Sequence, residues 1–190
     1  MPAIALFCLI FMLSACAEKA AQFKSIDITG ADYAKAFSLP DANGQTKTLA
    51  DFKGKIPIVF FGFAQCPDVC PTTMAEIAEV KKSLGKDGEK VTAIFITVDP
   101  ERDTPQVLKA YMESFDPSFT ALRGSSEQVA QLAKDFKVYY KKVDGKTPTS
   151  YTYDHTAASF VFDTDGKLRL YTRYGMGVQA LADDLKILLK

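Results

Sequence analysis

Residues 56–98 read IPIVFFGFAQCPDVCPTTMAEIAEVKKSLGKDGEKVTAIFITV, and this stretch decides the fold. It begins and ends with continuous apolar runs, 56–62 and 91–98, which are typical of strands covered on both faces. Between them, Pro71 stands where a first-turn proline is tolerated, and the apolar residues that follow it recur at helical spacing: Met74, Ile77, Val80 and Leu84. Two buried strands joined by a helix predict a right-handed parallel crossover.

Six further segments on either side of this unit carry strand or helix signals. They are an N-terminal hairpin around an Asn-Gly turn (38–49), two helices that begin after capping residues (104–115 and 125–136), two strands joined by a turn (158–162 and 168–172) and an amphipathic helix (178–188). Strands that alternate with helices and end in a hairpin and a helix predict an α/β fold. We expect a mixed central sheet flanked by helices, in the element order of thioredoxin, with the N-terminal hairpin in front of it.

The start of the chain carries a different signal. Residues 3–13 form an apolar run that is too short for a comfortable transmembrane helix, and the run ends in Leu-Ser-Ala-Cys16. This ending resembles the lipobox of bacterial lipoproteins, where a peptidase cuts before a cysteine that carries lipid. No Lys or Arg precedes the apolar run, so an uncleaved anchor or a buried N-terminal helix stays open as an alternative.

These signals divide the chain into a lipoprotein signal peptide with a lipidated Cys16 (1–16), a tether (17–32) and one thioredoxin-like domain (33–190). Lipid at Cys16 would hold the domain on the membrane, outside the cytoplasm, in a bacterial cell envelope. In a Gram-negative cell this is the periplasmic face. Acidic and basic residues balance at 23 each, so the bulk charge does not favour nucleic acid as a partner.

Two of the four cysteines fall in the predicted domain. Cys66 and Cys70 lie between the end of a predicted buried strand and the start of a helix, where ligand and active sites gather in open α/β sheets. Their spacing brings both sulfurs to the first helical turn, and the helix N-terminus lowers the pKa of a thiol there. The pair could bind a soft metal, exchange disulfides or close into a structural disulfide.

The single histidine, His155, follows Cys70 by 85 residues and precedes a predicted strand. A lone histidine is usually structural. In this element order, however, the loop before the C-terminal hairpin faces the start of the first helix, so the imidazole could reach both sulfurs. Two thiolates and an imidazole suit Cu(I) and would also accept Zn(II). The neighbouring Asp154 is a candidate hydrogen-bond partner for a metal-binding histidine.

Three blocks of sequence together resemble one known family. FGFAQCPDVCPTT (61–73) is similar to the Cys-x-x-x-Cys-Pro signature of the Sco/SenC proteins, and VDPERDTP (98–105) and YDHT (153–156) are similar to that family's two other characteristic blocks. The blocks occur in the family's order, and the resemblance covers residues 37–190. It implies a membrane-bound, thioredoxin-fold protein that helps to assemble the dinuclear copper site of cytochrome c oxidase.

The resemblance also implies a ligand set and partners. One copper ion per chain would be held by Cys66, Cys70 and His155, and Asp99 corresponds to a family aspartate near the metal. The expected partners are the copper-site subunit of the oxidase, other copper chaperones or thiol reductants, and the membrane through lipid.

A binding protein, and not a turnover enzyme, is therefore our first interpretation. The alternative is a thiol–disulfide oxidoreductase that uses Cys66 and Cys70. Thioredoxins usually place two residues between their cysteines and have no metal-binding histidine opposite them, so the third intervening residue and His155 favour metal. A thiol peroxidase needs the Thr and Arg surroundings of a single activated thiol, and we identify none in the sequence.

Overall fold

Fully buried strands lie at the centre of the sheet, where the apolar runs of the sequence place them. The computed structural model describes residues 22–147 and 150–190. Its strands are β1 (Ile26–Asp27), β2 (Ser38–Pro40), β3 (Thr46–Thr48), β4 (Ile56–Gly62), β5 (Val91–Thr97), β6 (Thr120–Leu122), β7 (Tyr140–Asp144), β8 (Tyr151–His155), β9 (Ala158–Phe162) and β10 (Leu168–Arg173). Its α-helices are α1 (Val69–Ser83), α2 (Pro105–Glu113), α3 (Ser126–Asp135) and α4 (Val178–Leu188), and 3-10 helices lie at Leu49–Phe52 and Gly85–Lys90.

Six strands form the central sheet in the order β1-β10-β9-β4-β5-β6. The strands β4, β5 and β6 are parallel, whereas β9 runs antiparallel to β4, and β10 runs antiparallel to both β9 and β1. Every residue of β4, β5 and β9 is buried, as expected of strands covered on both faces. The prediction of a thioredoxin-like α/β fold with a mixed central sheet is confirmed. The N-terminal hairpin, β2–β3, forms a separate two-stranded sheet.

Capping side chains account for the starts of α2 and α3. The Thr104 hydroxyl accepts a hydrogen bond from the Val107 N–H at 3.2 Å at the start of α2, and Ser125 and Gln128 form a capping box at the start of α3. The helix α1 begins at Val69, two residues earlier than the proline suggested. Pro71 is tolerated there because the first N–H groups of a helix have no acceptor within it.

The predicted tether (17–32) is the main correction to the domain boundaries. Over residues 22–32 this segment is part of the domain: β1 extends the central sheet beside β10. The backbone N–H groups of Lys24 and Ser25 donate to the carboxylate of Asp184 at 2.7 and 2.8 Å. Asp184 is fully buried in α4, so these hydrogen bonds satisfy carboxyl oxygens that are shielded from solvent.

The predictions for the signal peptide (1–16), for lipidated Cys16 and for residues 17–21 fall outside the described part of the chain. Within the described ranges, no helix is both long and apolar enough to cross a membrane.

Candidate metal centre

Cys66 and Cys70 lie where the carboxyl end of β4 leads into α1. Cys66 is partly buried in the connecting turn, and Cys70 is fully buried in the first turn of the helix. The backbone N–H of Cys70 points at the Cys66 sulfur, 3.4 Å away. Both thiols are free, and the helix N-terminus places its positive end beside the outer sulfur.

Space for the inner sulfur depends on Gly62, the last residue of β4. A Cβ atom at this position would lie 2.7 Å from the Cys70 sulfur and 2.9 Å from ring carbons of Phe60 and Phe95. Any larger residue must therefore displace the thiol or the core around it. The sequence alone does not indicate this requirement, because it arises from a contact between two different elements.

His155 is the last residue of β8, and it does not lie in a loop as the sequence analysis expected. The strand β8 pairs with β7 in an antiparallel hairpin, and His155 stands opposite Tyr140. The imidazole packs edge-on against Phe60 and Phe63, with ring centroids 5.7 and 6.0 Å away. These contacts hold the ring plane in one orientation.

The two ring nitrogens of His155 have different neighbours. Nε2 lies 3.5 Å from the Cys70 sulfur, and Nδ1 lies 3.2 Å from the backbone carbonyl oxygen of Thr156. A proton on Nδ1 can be donated to this carbonyl, which leaves the Nε2 lone pair directed at the cysteines. This is the usual arrangement for a histidine that binds a metal through Nε2.

The two sulfurs and an imidazole nitrogen all lie within 4.8 Å of one another, and no other such group of His, Cys, Asp or Glu side chains occurs among residues 22–147 and 150–190. A thiolate sulfur lies about 2.3 Å from a bound zinc ion, so two such ligands of one ion are at most about 4.6 Å apart. Three ligands spread evenly around one ion are about 4 Å apart, so movements of less than about 1 Å would bring these three atoms to one ion. Two soft sulfurs with one nitrogen suit Cu(I), and they would also accept Zn(II).

The two thiols have opposite pKa shifts. The hydrogen bond that Cys66 receives from the Cys70 thiol is the largest cause that lowers the pKa of Cys66 to about 4, and backbone N–H groups add to it. The same hydrogen bond, followed by burial, raises the pKa of Cys70. At neutral pH the pair therefore consists of a partly exposed Cys66 thiolate and a buried, protonated Cys70.

The two aspartates singled out from the sequence have different surroundings. Asp99 is fully buried after β5, where its carboxylate accepts a hydrogen bond from the Tyr151 hydroxyl at 3.0 Å and pairs with Arg102. Asp99 thus contacts β8 through Tyr151 and is not part of the group formed by the two sulfurs and the imidazole. Asp154 is exposed, because neighbouring residues of a strand point to opposite faces and His155 faces inward. The structure does not bring Asp154 to the imidazole, whose Nδ1 faces Thr156 instead.

Asp103 is a further residue at the site that the sequence analysis did not single out, although it lies in the VDPERDTP block. It is fully buried. Its carboxylate accepts hydrogen bonds from the Thr97 hydroxyl and, at 3.0 Å, from the Ala64 N–H, which fixes the turn that leads to Cys66. Burial raises the pKa of this carboxyl group.

Comparisons with known proteins show which family the chain resembles. The family model described as SCO1/SenC matches residues 27–190. A SCO2-like protein of Rickettsia felis is 38% identical over 132 residues, which are 69% of this chain and 64% of that protein's length. The chain thus spans just under two thirds of that relative.

Two solved structures are similar over most of their length. The structure of Bradyrhizobium japonicum ScoI with copper bound is 44% identical, with a TM-score of 0.71 over 80% of this chain and 98% of that one. The apo Sco1 protein of Thermus thermophilus is 35% identical, with a TM-score of 0.78 over 90% and 99% of the two chains. The family model, the relatives and the fold agree, and the chain belongs to the SCO1/SenC family.

Proposed function

We propose that this protein is a membrane-anchored, copper-binding metallochaperone that assists assembly of the copper site of a respiratory cytochrome c oxidase. The observation that carries the proposal is the group formed by the Cys66 and Cys70 sulfurs and the His155 nitrogen, all within 4.8 Å. The copper bound to the 44% identical ScoI of Bradyrhizobium japonicum supports copper as the metal.

The surroundings of the three side chains suit the uptake and release of one copper ion as cargo. Cys66 is a thiolate at neutral pH and partly exposed, so it offers the first ligand to an incoming ion. Cys70 must lose its proton when it becomes a ligand, because the thiolate is the metal-binding form. Cys66 is also the ligand that a thiolate of a partner can reach first, which gives a path for transfer.

The partners proposed are the copper-site subunit of the oxidase, with other copper chaperones or thiol reductants that load or reduce the pair. We further propose attachment through lipid at Cys16, on the outer side of the cytoplasmic membrane. The Leu-Ser-Ala-Cys16 sequence after the apolar run supports this attachment.

A second function, thiol–disulfide exchange, is favoured by one observation. Cys66 is a partly exposed thiol with a pKa of about 4, and Cys70 is a buried thiol beside it. An accessible attacking thiolate with a resolving thiol four residues later is the arrangement that this chemistry needs. Such a reaction would reduce the cysteines of the copper acceptor, and it would not require His155.

Copper titration tests the main proposal. The full-length chain carries Cys8→Ser and Cys16→Ser in every sample, so that only the domain cysteines are measured, and it is purified in detergent and reduced. We expect one Cu(I) per chain, and we expect Cys66→Ala or Cys70→Ala to abolish tight binding, since one sulfur and one nitrogen are too few soft ligands. A single-cysteine variant that keeps the full affinity would exclude that cysteine as a ligand. Reduction of insulin by the same samples measures the second function.

A further inference from the structure

The first residue of β8, Tyr151, makes several contacts with the loop that follows β5. The Arg102 guanidinium carbon lies 3.6 Å from the centroid of the Tyr151 ring, and Arg102 Nη1 donates a hydrogen bond to the Tyr151 carbonyl oxygen at 2.9 Å. The Tyr151 hydroxyl donates to Asp99 at 3.0 Å, and Asp99 pairs with Arg102. We call Asp99, Arg102 and Tyr151 the clasp. It fixes both the main chain and the side chain of Tyr151.

The strand β7, which pairs with β8, also contacts the loop that follows β5. The ammonium group of Lys142, on β7, lies 3.7 Å from the Tyr151 ring centroid and 3.6 Å from the carboxylate of Glu101. Burial, together with the hydrogen bond to Asp99, raises the pKa of Tyr151 to about 12, so its hydroxyl remains a donor at any physiological pH.

The hairpin β7–β8 needs such an attachment. It is a separate two-stranded sheet, and none of its described residues is fully buried. Two-stranded hairpins are only marginally stable in water by themselves. Apart from the clasp, the inward face is held by aromatic contacts, such as that of Tyr153 with Phe63 at 5.6 Å.

Tyr151 and His155 lie on the same face of this hairpin. Side chains alternate along a strand, so residues 151, 153 and 155 all point the same way. At about 3.3 Å per residue, the clasp holds the strand about 13 Å from His155. The orientation of the metal-binding imidazole thus depends on contacts that hold Tyr151, at the other end of the five-residue strand.

We propose that Arg102 is a positioning residue that keeps His155 at the metal centre by clamping Tyr151. The proposal rests on the proposed copper-binding function. A buried ion pair can often be replaced by apolar residues with little loss of stability, which fits a positional role for the pair with Asp99, whereas removal of Arg102 alone leaves the buried Asp99 without its cation. Loss of Arg102 frees the hairpin and withdraws the imidazole, while Cys66 and Cys70 stay in place on α1.

Copper affinity in a double-mutant cycle tests the proposal, in the full-length Cys8→Ser, Cys16→Ser background. Arg102→Met should lower Cu(I) affinity by about 10- to 100-fold, the range found when a group that orients a metal ligand is lost. In a chain that already carries His155→Ala, Arg102→Met should change the affinity by less than about threefold, because the two substitutions then remove the same interaction.

Arg123→Met is the matched control. Arg123 anchors the same loop by donating to the Pro100 carbonyl oxygen at 3.1 and 2.8 Å, and none of its hydrogen bonds reaches β8. Its substitution should leave the copper affinity within about threefold. If Arg102→Met does not fold, Tyr151→Phe replaces it in the cycle, since that change removes only the hydroxyl group that bonds to Asp99.

Hydrogen exchange of the copper-free protein provides a readout that a merely stabilising role would not produce. We expect faster exchange in residues 140–144 and 151–155 of Arg102→Met, with β4 and β5 unchanged. Unchanged affinity, an equal loss in the His155→Ala chain, or uniform faster exchange would each overturn the proposal. Wild-type protein that binds no copper would refute the proposed function instead, and hydrogen exchange would still decide whether Arg102 holds the hairpin.

Discussion

Gly62→Ala should damage the metal centre through one added methyl group. The new carbon would lie 2.7 Å from the Cys70 sulfur, about 0.7 Å less than the 3.4 Å at which ordinary van der Waals contact begins. The backbone of Gly62 is not in a conformation reserved for glycine, so the alanine itself is not strained. Relief must come from movement of the thiol or of the Phe60 and Phe95 rings, which pack into a fully buried core.

Two magnitudes follow for Gly62→Ala. Overpacking a core lowers the free energy of unfolding by about 1–3 kcal/mol. A functional group must be held within about 0.5 Å of its productive position, so a displacement of about 0.7 Å should also reduce Cu(I) affinity by at least about tenfold. Urea unfolding of the copper-free chain measures the first effect, and competition for Cu(I) with a chelator measures the second.

Gly124→Ala separates the effect on the site from the effect of overpacking. Its added carbon would also meet an atom at 2.7 Å, the Leu39 side chain, which is not part of the metal centre. This variant should lose stability by no more than Gly62→Ala and should keep its copper affinity. Equal copper affinities for the two alanine variants would refute the reasoning that Gly62 makes room for the Cys70 thiol.

Three further predictions concern protons and the N-terminus. The alkylation rate of Cys66 in the copper-free protein should be half-maximal near pH 4 and nearly constant above about pH 6, because the lowered pKa makes Cys66 a thiolate throughout that range. A midpoint near pH 8 to 9 would contradict this prediction. Copper binding at pH 7 should release about one proton per chain, from Cys70, so copper affinity should rise with pH by up to about tenfold per pH unit. Calorimetry in buffers of different ionisation enthalpy measures the number of protons released. A number near zero would mean that Cys70 is already ionised. Cys16→Ser should leave an unprocessed precursor that takes up no lipid label, whereas a mature wild-type chain without acyl groups by mass spectrometry would exclude lipid attachment.

The centre of the fold could be predicted because its signals are local or continuous. The runs in β4 and β5 are apolar at nearly every position, and only strands covered on both faces need such a pattern. Thr104 and Ser125 mark helix starts because a capping side chain bonds to an N–H only three residues away. Such interactions can be identified without knowledge of tertiary structure.

Elements that depend on distant partners were missed or misplaced. The strands β1 and β6 have only two and three residues, too few to show a period. The hairpin β7–β8 carries alternating tyrosines, but its pairing of Tyr140 with His155 spans 15 residues, and so His155 was expected in a loop.

In the candidate site, too, local signals could be identified from the sequence, and contacts between distant elements could not. Cys66, Cys70 and His155 were identifiable from spacing and family resemblance, whereas the contact of Gly62 with Cys70 and the clasp on Tyr151 exist only between elements that are distant in sequence. Asp154 was selected because it adjoins His155, but alternation along β8 directs the two side chains to opposite faces.

The most direct test of the account is the Cu(I) affinity of the reduced full-length chain with and without the imidazole of His155. His155→Ala removes the ligand and the ring, whereas His155→Phe keeps a ring against Phe60 and Phe63 and removes only the nitrogen donor. Loss of a residue that merely supports a metal ligand typically lowers metal affinity by about 10- to 100-fold. We predict that both variants lose more copper affinity than this. Cys66 and Cys70 should still form a disulfide on oxidation in both. Wild-type affinity in both variants would contradict the account, because the protein would then work through its cysteine pair alone.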